Sequence, residues 1–533
     1  MDRVFSHPVL SCAAAKAWEA GLLGDETAEW SAMWKAGDAI AAAILEDFRE
    51  IGGLPAEARI LVLVGKGHNG GDALLAARAL LVARPQARAV VVLCFGADKL
   101  RPLARRSLGD LQASAAGRVQ VCPPDQALNA GAAYELCLDG IFGFQFWAPM
   151  DGTIASMLTK VNDHGAIRFR AAVDFPSGVG EEGSSMAFRA DFTYATGIVK
   201  QPVLAPGAAS VVGRLRYLDL GFFKTPQREN DGLPSRLGTP DGSRRVVPDE
   251  PVATDHVLVR DILSPLAALR AAQTDKRTFG HLFVVGGSGS YPGAVVLAVL
   301  AALRSGAGLV TAFVPERLAP EYAARHPEAM WVGCPETPAG GLASGTSALI
   351  KERLSRATAL LMGPGMSAEP DVLATMQAIV RNTNIPLVLD ADALRPEIVR
   401  AAGERPIICT PHAGEYQRLG GRAGLRPASR SGEIVTVLKG PLTRVVVESG
   451  RSEASPAYYS PFGGPVLARG GSGDILAGLI GGLLAQQPAD PLLAACRGVV
   501  WHGRAADLLA RARGQVAVEI SEILEELGPA LQS

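Results

Sequence analysis

The feature that most constrains the fold is a junction that recurs along the chain. A short apolar run leads into a glycine-rich loop, and the loop leads into a stretch rich in alanine and leucine. The clearest example is ILVLV, GKGHNGGD and ALLAARALL from residue 60 onward. Short runs rich in β-branched residues predict strands buried on both faces, and strands that alternate with helical stretches predict parallel sheets covered by helices. We therefore expect an α/β fold.

Length and composition indicate a globular protein with more than one domain. The chain has 533 residues, which is more than one hydrophobic core usually serves, with 48% apolar and 20% charged residues. Residues 223–250 are polar, rich in proline and glycine, and without apolar periodicity. We expect this segment to be a linker between domains at 1–222 and 251–533.

Charge, hydropathy and cysteine usage exclude several classes of partner. The formal net charge of −1 gives no general attraction to nucleic acid or anionic lipid. The longest apolar run, at 294–303, is ended by Arg304 and is too short to span a membrane. Seven scattered cysteines without CxxC spacing are typical of reduced core residues in a cytoplasmic protein. We expect small-molecule partners, with no nucleic acid and no membrane.

Polar residues at three strand ends in the first half predict a ligand site. Asn69 and Asp72 lie in the first glycine-rich loop, Asp139 and Asp174 end two later apolar runs, and the PSG turn is expected to expose Ser177. Carboxyl ends of parallel strands meet at one edge of a sheet, where ligands bind. Carboxylate, amide and hydroxyl oxygens together suit a hard monovalent or divalent cation. The alternative is that each acid only caps a helix.

The spacing in the first loop argues against a dinucleotide-binding fingerprint. GxGxxGGD differs from the GxGxxG pattern, and Asp72 is expected at the helix start, where it would compete with a pyrophosphate. The loop is therefore expected to hold a polar ligand or a cation through Asn69 and Asp72.

The most informative motif of the second half is RGGSGDILAG at residues 469–478, followed by the apolar run LIGGLLA. The glycines predict a tight turn, and the apolar run predicts a buried helix that begins at Asp474. Helix N-termini bind phosphate through free N–H groups and the helix dipole. The motif can therefore receive a nucleotide phosphate with Asp474 beside it as a base, or Asp474 can simply cap its helix.

Further polar strand ends accompany this motif. Asp390 and Asp392 end one predicted strand, and residues of this kind are more often structural caps than metal ligands. His412 lies at a strand-to-helix turn. Lys439 ends another strand, and Thr443 opens the next, which predicts a hairpin able to hold nucleotide phosphates. No GxxxxGK[ST] motif is present in the sequence, so a P-loop is excluded.

Several motifs of the first half resemble the epimerase domain of bifunctional NAD(P)H-hydrate repair enzymes. They are HNGGD at 68–72, LDGIFG at 138–143 and VDFPSG at 173–178, followed by Lys200 and PG at 206–207. The resemblance implies a Rossmann-like three-layer fold and Asp174 as a catalytic residue that shuttles a proton. The implied ligands of a potassium ion are Asn69, Asp139 and Ser177. The implied contacts to the hydrated nucleotide are Asn69, Gly70, Gly71, Asp72 and Asp174.

An ordered set in the second half is similar to the dehydratase domain of the same enzymes. The set is GGSGSYPGA, SGAGLVT, GPG, LDADAL, TPHAGE, LKGPLT and GGSGD. The similarity implies a ribokinase-like α/β fold in which Asp474 is the catalytic base. The implied nucleotide contacts are Lys439, Gly440, Pro441, Leu442, Thr443 and Gly473. The implied contacts to the hydrate are Ala294, Gly365, His412 and Asp474.

The resemblance implies repair of hydrated NADH and NADPH. The first domain would interconvert the R and S hydrates. The second would phosphorylate the ring hydroxyl of the S hydrate with ADP, giving AMP, or with ATP, together with Mg²⁺, and then eliminate phosphate. We expect a cytoplasmic homo-oligomer. Two alternatives remain open, a ribokinase-like small-molecule kinase and a first half that binds or senses nucleotides without catalysis.

Overall fold

The computed structural model divides the described part of the chain into two compact units. The described residues are 4–124, 126, 132–143, 150–180, 186–205, 207–223, 253–425, 433–449 and 456–532. The N-terminal unit comprises His7–Val257 with Arg511–Gly514, and the C-terminal unit comprises Met1–Ser6, Leu258–Ala510 and Gln515–Ser533. The predicted linker lies outside the described residues except for Phe223, as does Pro206 of the PG motif, so the predicted domain boundaries stay a prediction.

The N-terminal unit is built on a parallel sheet. The strands of this sheet are β2 (Arg59–Val64), β3 (Arg88–Leu93), β4 (Val119–Cys122), β5 (Leu136–Gly140), β6 (Arg170–Val173), β7 (Phe192–Thr196) and β8 (Arg214–Leu218). Two short strands at the sequence limits of the unit, β1 (Ser6–Pro8) and β9 (Asp255–Leu258), are not part of this sheet. Its helices are α1 (Cys12–Leu22), α2 (Glu26–Asp47), α3 (His68–Ala83), α4 (Pro102–Ser114), α5 (Gly152–Asn162) and α6 (Ala209–Val212). Seven strands lie in the order β4-β3-β2-β5-β6-β7-β8, all parallel.

This strand order creates a topological switch point between β2 and β5. The chain continues from β2 to β3 on one side and returns to β5 on the other, so the loops after β2 and β5 leave the sheet in opposite directions. Ligands of open α/β sheets bind in the crevice that such loops leave. Asn69 at the start of α3 and Asp139 at the end of β5 therefore lie where the fold provides a binding crevice.

Both faces of this sheet are covered. Ile60, Val62 and Val64 pack in one apolar cluster, whereas Leu61 and Leu63 pack in another. Because alternate residues of a strand point to opposite faces, β2 is buried between two layers. The predicted three-layer architecture is confirmed.

The C-terminal unit contains a second sheet with the same order of its parallel strands. Its strands are β10 (His281–Val285), β11 (Leu309–Pro315), β12 (Met330–Cys334), β13 (Ala359–Met362), β14 (Leu387–Leu389), β15 (Ile407–Cys409), β16 (Glu433–Leu438), β17 (Arg444–Ser449) and β18 (Ala457–Tyr459). They lie in the order β18-β17-β16-β15-β14-β13-β10-β11-β12. β10 to β16 are parallel, whereas β17 is antiparallel to both β16 and β18.

Helices cover the second sheet as the alternating pattern predicts. They are α7 (Pro292–Arg304), α8 (Ala319–Arg325), α9 (Gly345–Arg353), α10 (Pro370–Asn382), α11 (Pro396–Ala401), α12 (Ala413–Arg418), α13 (Gly421–Gly424), α14 (Ser472–Gln486), α15 (Pro491–Arg513) and α16 (Ile523–Gln532). α14 packs closely on α7. The two backbones approach so nearly that a Cβ at Gly478 would overlap the carbonyl oxygen of Ala298. No described helix combines the length and apolarity needed to cross a membrane.

Two predicted helix starts are wrong by up to a turn. α14 begins at Ser472, so Asp474 is the third residue of its first turn and not the first. α3 begins at His68, so Asp72 lies one turn inside the helix. The glycines of HNGG make this early start possible, because a Cβ at Gly70 would lie 2.5 Å from the carbonyl oxygen of Gly65.

Candidate active sites

The N-terminus of α14 forms a potential anion site in the C-terminal unit. Gly471 precedes the helix with a φ of 93°, a left-handed conformation that favours glycine. Ser472, Gly473 and Asp474 form the first turn, whose amides have no partner within the helix. The predicted glycine-built turn is therefore present, with a carboxyl group in the same helical turn.

Lys439 and Asp390 form a partly buried ion pair beside this turn. Nζ of Lys439 lies 3.0 Å from Oδ1 of Asp390, and the hydroxyl of Thr410 donates to the same oxygen at 2.6 Å. A Cβ on Gly473 would lie 3.1 Å from this Nζ, so the ammonium group lies over the first turn of α14. Asp390 makes no side-chain bond to the short helical turn that follows it, so its interpretation as a cap is wrong.

These charges set the proton affinity of Asp474. Burial, followed by the negative charge of Asp390, raises the pKa of Asp474 to about 7, while Lys439 opposes the rise and Asp392 adds to it. Burial lowers the pKa of Lys439, but the nearby carboxylates of Asp390 and Glu415 outweigh this, so its pKa is raised overall. Lys439 therefore stays charged, and Asp474 can gain or lose a proton near neutral pH.

His412 caps α12 and lies next to Lys439. Its Nδ1 accepts hydrogen bonds from the backbone N–H groups of Gly414 and Glu415, while Glu415 accepts one from the N–H of His412 at 2.8 Å. The N–H of Lys439 donates to the carbonyl oxygen of Pro411 at 2.9 Å, which joins the two strand ends. The imidazole remains 61% exposed, so a ligand can contact it.

The predicted hairpin is confirmed. β16 and β17 are antiparallel and are joined by residues 439–443. Gly440 and Pro441 are exposed, and the hydroxyl of Thr443 donates to the carbonyl oxygen of Gly440 at 3.4 Å. The turn thus presents open backbone beside Lys439.

The structure also brings Gly365 and Ala294 together. Gly365 has a φ of 64°, and a Cβ on it would lie 3.1 Å from the Cβ of Ala294 in the first turn of α7. The neighbouring N–H of Ser367 donates to Oδ2 of Asp392 at 2.9 Å. Because the charge of Asp392 acts on Asp474, the GPG loop and the GGSGD turn border the same region.

In the N-terminal unit, Asp174 forms a buried ion pair with Lys200. Nζ of Lys200 lies 2.7 Å from Oδ1 of Asp174 and 3.7 Å from Oε1 of Glu19, and the lysine side chain is 1% exposed. The N–H of Thr196 also donates to Asp174, at 3.4 Å. Asp174 has a φ of 59°, which is uncommon for a residue other than glycine and is typical of functional sites.

A second group joins Asn69, Asp139 and Ser177. The hydroxyl of Ser177 donates to Oδ1 of Asp139 at 2.6 Å, and its N–H donates to Oδ2 at 2.7 Å. Asn69 donates to the carbonyl oxygen of Phe142 at 2.9 Å, and the N–H of Phe142 donates to Ser177. The predicted exposure of Ser177 is wrong, because adjacent strands β5 and β6 bring its turn onto the buried Asp139.

The oxygens of this second group are of the kind that suits a hard monovalent or divalent cation. They come from a carboxylate, a hydroxyl, a side-chain amide and a carbonyl, which is the donor set that hard cations prefer. Burial raises the pKa of Asp139 to about 6 despite the opposing hydrogen bonds from Ser177 and Ile141. Within the described ranges, no group of three His, Cys, Asp or Glu residues could hold a metal ion.

Asp72 differs from Asp139 and Asp174, which both accept hydrogen bonds. Its Oδ1 is buried and makes no hydrogen bond within the part of the chain that the structure describes. Burial, then the charges of Asp174 and Glu19, raise its pKa well above the ordinary value. Sequence reasoning missed Glu19, which has no local signal in α1, and Thr410, which holds Asp390.

The two sheets and their strand-end sites define a pair of ligand-binding α/β domains, and comparisons with known proteins identify the family. Residues 282–528 match the family described as NAD(P)H-hydrate dehydratase, and residues 31–202 match the family described as YjeF-related protein N-terminus. The bifunctional NAD(P)H-hydrate repair enzyme Nnr of Gloeobacter violaceus is 35% identical, with 100% of this chain and 99% of that protein covered. The enzyme of the same name from Moorella thermoacetica is 32% identical, with 90% and 88% covered.

A solved structure of ADP/ATP-dependent NAD(P)H-hydrate dehydratase from Bacillus subtilis, co-crystallised with ATP and Mg²⁺, is 26% identical. The match covers 51% of this chain and 96% of the chain in that structure, with a TM-score of 0.41. Because the chain is 35% and 32% identical to two bifunctional NAD(P)H-hydrate repair enzymes over most of both sequences, it belongs to that family. The predicted α/β fold class, with a sheet of mainly parallel strands covered by helices in each unit, is confirmed.

Proposed function

We propose that this chain repairs hydrated NADH and NADPH in two steps. The N-terminal unit interconverts the R and S hydrates, and the C-terminal unit dehydrates the S hydrate at the expense of a nucleotide. The observation that carries this proposal is the position of Asp474, which lies in the first turn of α14 beside Lys439 and has a pKa of about 7. A base of this strength next to an anion-binding turn suits phosphoryl transfer from a nucleotide to a hydroxyl group.

In the dehydration, Asp474 accepts the proton of the ring hydroxyl. The hydroxyl oxygen bonds to the terminal phosphorus of ADP as the bond between the two phosphates breaks, which leaves AMP. The amides at the start of α14 and the ammonium group of Lys439 stabilise the negative charge that moves during the transfer. Loss of a proton from the neighbouring ring carbon and of phosphate from the ester then restores the dihydronicotinamide. With ATP, the leaving product is ADP.

The nucleotide and the hydrate would bind to different sets of residues in this site. The nucleotide contacts are Lys439, Gly440, Pro441, Leu442, Thr443 and Gly473. The hydrate contacts are Ala294, Gly365, His412 and Asp474. Mg²⁺ usually binds through one or two carboxylates and substrate phosphates, so it would arrive with the nucleotide and neutralise its phosphates. The acidic side chains available to it are Asp390, Asp392 and Glu415, whose charges act on Lys439 or on Asp474.

In the epimerisation, Asp174 is the proposed proton-shuttling residue. The hydrate would contact Asn69, Gly70, Gly71 and Asp72 at the start of α3. Asn69, Asp139 and Ser177 would hold a potassium ion, which would fix the strand-end loops around the substrate and balance the charge of Asp139. A cytoplasmic homo-oligomer remains a prediction from the sequence.

Product analysis tests the proposal. The purified chain is incubated with a mixture of R and S hydrates and with either ADP or ATP. We expect reduced nicotinamide absorbance, free phosphate and full conversion of the mixture. A stable phosphate ester would instead identify a small-molecule kinase. Conversion that stops when the S hydrate is consumed, over a time in which spontaneous epimerisation is slow, would identify a first unit without catalysis.

A further inference from the structure

The buried cluster around Lys200 holds more acidic groups than one ammonium group can balance. Asp174 and Glu19 lie 2.7 and 3.7 Å from its Nζ. The charges of Lys200, Asp174 and Glu19 all act on a third acid, Asp72. Asp174 follows the end of β6, Glu19 lies in α1, and Asp72 lies in α3. Burying two uncompensated negative charges is costly, so such a cluster retains a proton near neutral pH.

Hydrogen bonding indicates which carboxyl group keeps the proton. Asp174 accepts from Lys200 and from the N–H of Thr196, both of which favour its ionised form. Glu19 also faces the ammonium group, although at a longer distance. Oδ1 of Asp72 is buried without a hydrogen-bond partner among the described residues, so no hydrogen bond stabilises a negative charge on that oxygen. Burial and the charges of Asp174 and Glu19 raise the pKa of Asp72 well above the usual range, against the effect of Lys200. Burial also raises the pKa of Glu19, but the adjacent ammonium group of Lys200 opposes this through both its charge and a hydrogen bond.

We propose that Asp72 is the proton donor of the epimerisation and that Asp174, kept ionised by Lys200, is the matching proton acceptor. This inference rests on the proposed epimerase function and adds to it, because Asp72 was expected only to contact the substrate. One protonated and one ionised carboxyl group in the same site form an acid–base pair. The backbone of Asp174 is held at a φ of 59°, so its orientation is fixed before the substrate binds.

The step balances with water as the only other reactant. Asp72 donates its proton to the ring hydroxyl, the carbon–oxygen bond breaks, and water leaves. The lone pair of the adjoining ring nitrogen forms a double bond to the carbon. Water then attacks the opposite face of this carbon, the double-bond electrons return to nitrogen, and Asp174 accepts the proton of the attacking water. In the reverse direction the two residues exchange roles, and solvent returns the proton from Asp174 to Asp72 between turnovers.

The test compares Asp72→Asn with the matched variant Glu19→Gln in the full chain. We expect Asp72→Asn to lower the epimerisation kcat by about 10²- to 10⁴-fold with little change in KM, since Asn replaces a neutral carboxyl group but cannot donate its proton readily. Dehydration of pure S hydrate, which takes place in the other unit, serves as the internal control and should stay at the wild-type rate. Glu19→Gln removes a charge that raises the pKa of Asp72, so it should move the alkaline limb of the epimerisation profile to lower pH.

Infrared spectroscopy locates the proton without reference to activity. At about pH 9, Asp139 and Asp474 are ionised, because their pKa values are about 6 and about 7. We expect a carboxylic acid C=O band in the wild type that Asp72→Asn removes and that Glu19→Gln loses at a lower pH than the wild type does. A band that persists in Asp72→Asn, or an Asp72→Asn protein with the wild-type epimerisation rate, would overturn the inference. A wild type without epimerisation would contradict the proposed function of this unit, while the infrared result would still decide where the proton lies.

Discussion

The ammonium nitrogen of Lys439 lies 3.0 Å from Oδ1 of Asp390, at the ends of two strands that are separated in the sheet by β15. The pair lies beside the first turn of α14, so a fixed positive charge stands next to the amides of the glycine-rich turn. A negative charge on Asp474 is disfavoured by the neighbouring Asp390 and favoured by Lys439. The ion pair therefore links phosphate binding to the strength of the proposed base.

The pH dependence of dehydration should report Asp474. Its pKa of about 7 predicts that kcat/KM for the S hydrate rises about tenfold per pH unit below that value and levels off above it. Asp392→Asn removes a charge that raises this pKa, so the midpoint should move to lower pH. Steady-state rates across pH with saturating nucleotide measure both profiles. An unchanged midpoint in Asp392→Asn would contradict the assigned electrostatics.

Asp474 should cost folding stability at alkaline pH. Its folded-state pKa is raised above the unfolded value, so the folded state binds more protons and stability is lost as pH rises from about 4 towards about 7. We therefore expect Asp474→Asn to raise the melting temperature of the C-terminal unit at about pH 8, with a smaller difference at about pH 5. Thermal unfolding followed at both pH values provides the measurement. A variant that is less stable than the wild type at the higher pH would show that the carboxylate is favourably paired.

The ion pair between Lys200 and Asp174 should be essential for stability of the N-terminal unit. Removing one partner of a buried ion pair leaves an unpaired charge and costs about 3–5 kcal/mol. Lys200→Met is therefore expected to lower the free energy of unfolding by this amount, because Asp174 and Glu19 lose their nearby cation. The double variant Lys200→Met/Asp174→Asn should recover part of the loss. Urea unfolding of the full chain measures both, and an additive double variant would argue against the pairing.

Potassium should stabilise the N-terminal unit. A ligand that binds only the folded state stabilises it by mass action. We expect the melting temperature of this unit to rise with K⁺ concentration, relative to tetramethylammonium at equal ionic strength. Ser177→Ala removes a proposed ligand and should abolish this rise, whereas Thr159→Ala, an exposed change in α5, should not. An equal response of wild type and Ser177→Ala would place the cation elsewhere.

Local patterns allowed the strand ends to be predicted but not their partners. An apolar run that ends in an acid is visible in the sequence, so Asp139, Asp174 and Asp390 could be singled out. Their partners Ser177, Lys200 and Lys439 lie 38, 26 and 49 residues further along the chain. Only the pairing and order of the strands bring these groups together.

The wrong sequence predictions for Ser177 and Asp390 have the same kind of cause. Ser177 was expected at the surface because turn residues usually lie there, but its neighbour across the sheet is a buried carboxylate that accepts both of its hydrogen bonds. Asp390 was interpreted as a helix cap because acids after strands usually cap helices, but Lys439 and Thr410 bind its carboxylate instead. Burial and long-range pairing decided both positions.

The most direct test of the central claim is a comparison of wild type and Asp474→Asn with pure S hydrate and ADP. Nicotinamide absorbance and phosphate release are followed together, and nucleotide binding is measured separately. We predict that the wild type produces reduced nicotinamide and phosphate in equal amounts, and that Asp474→Asn binds the nucleotide but is slower by about 10²-fold or more. Dehydration by Asp474→Asn at the wild-type rate would contradict the assignment of this carboxyl group as the base.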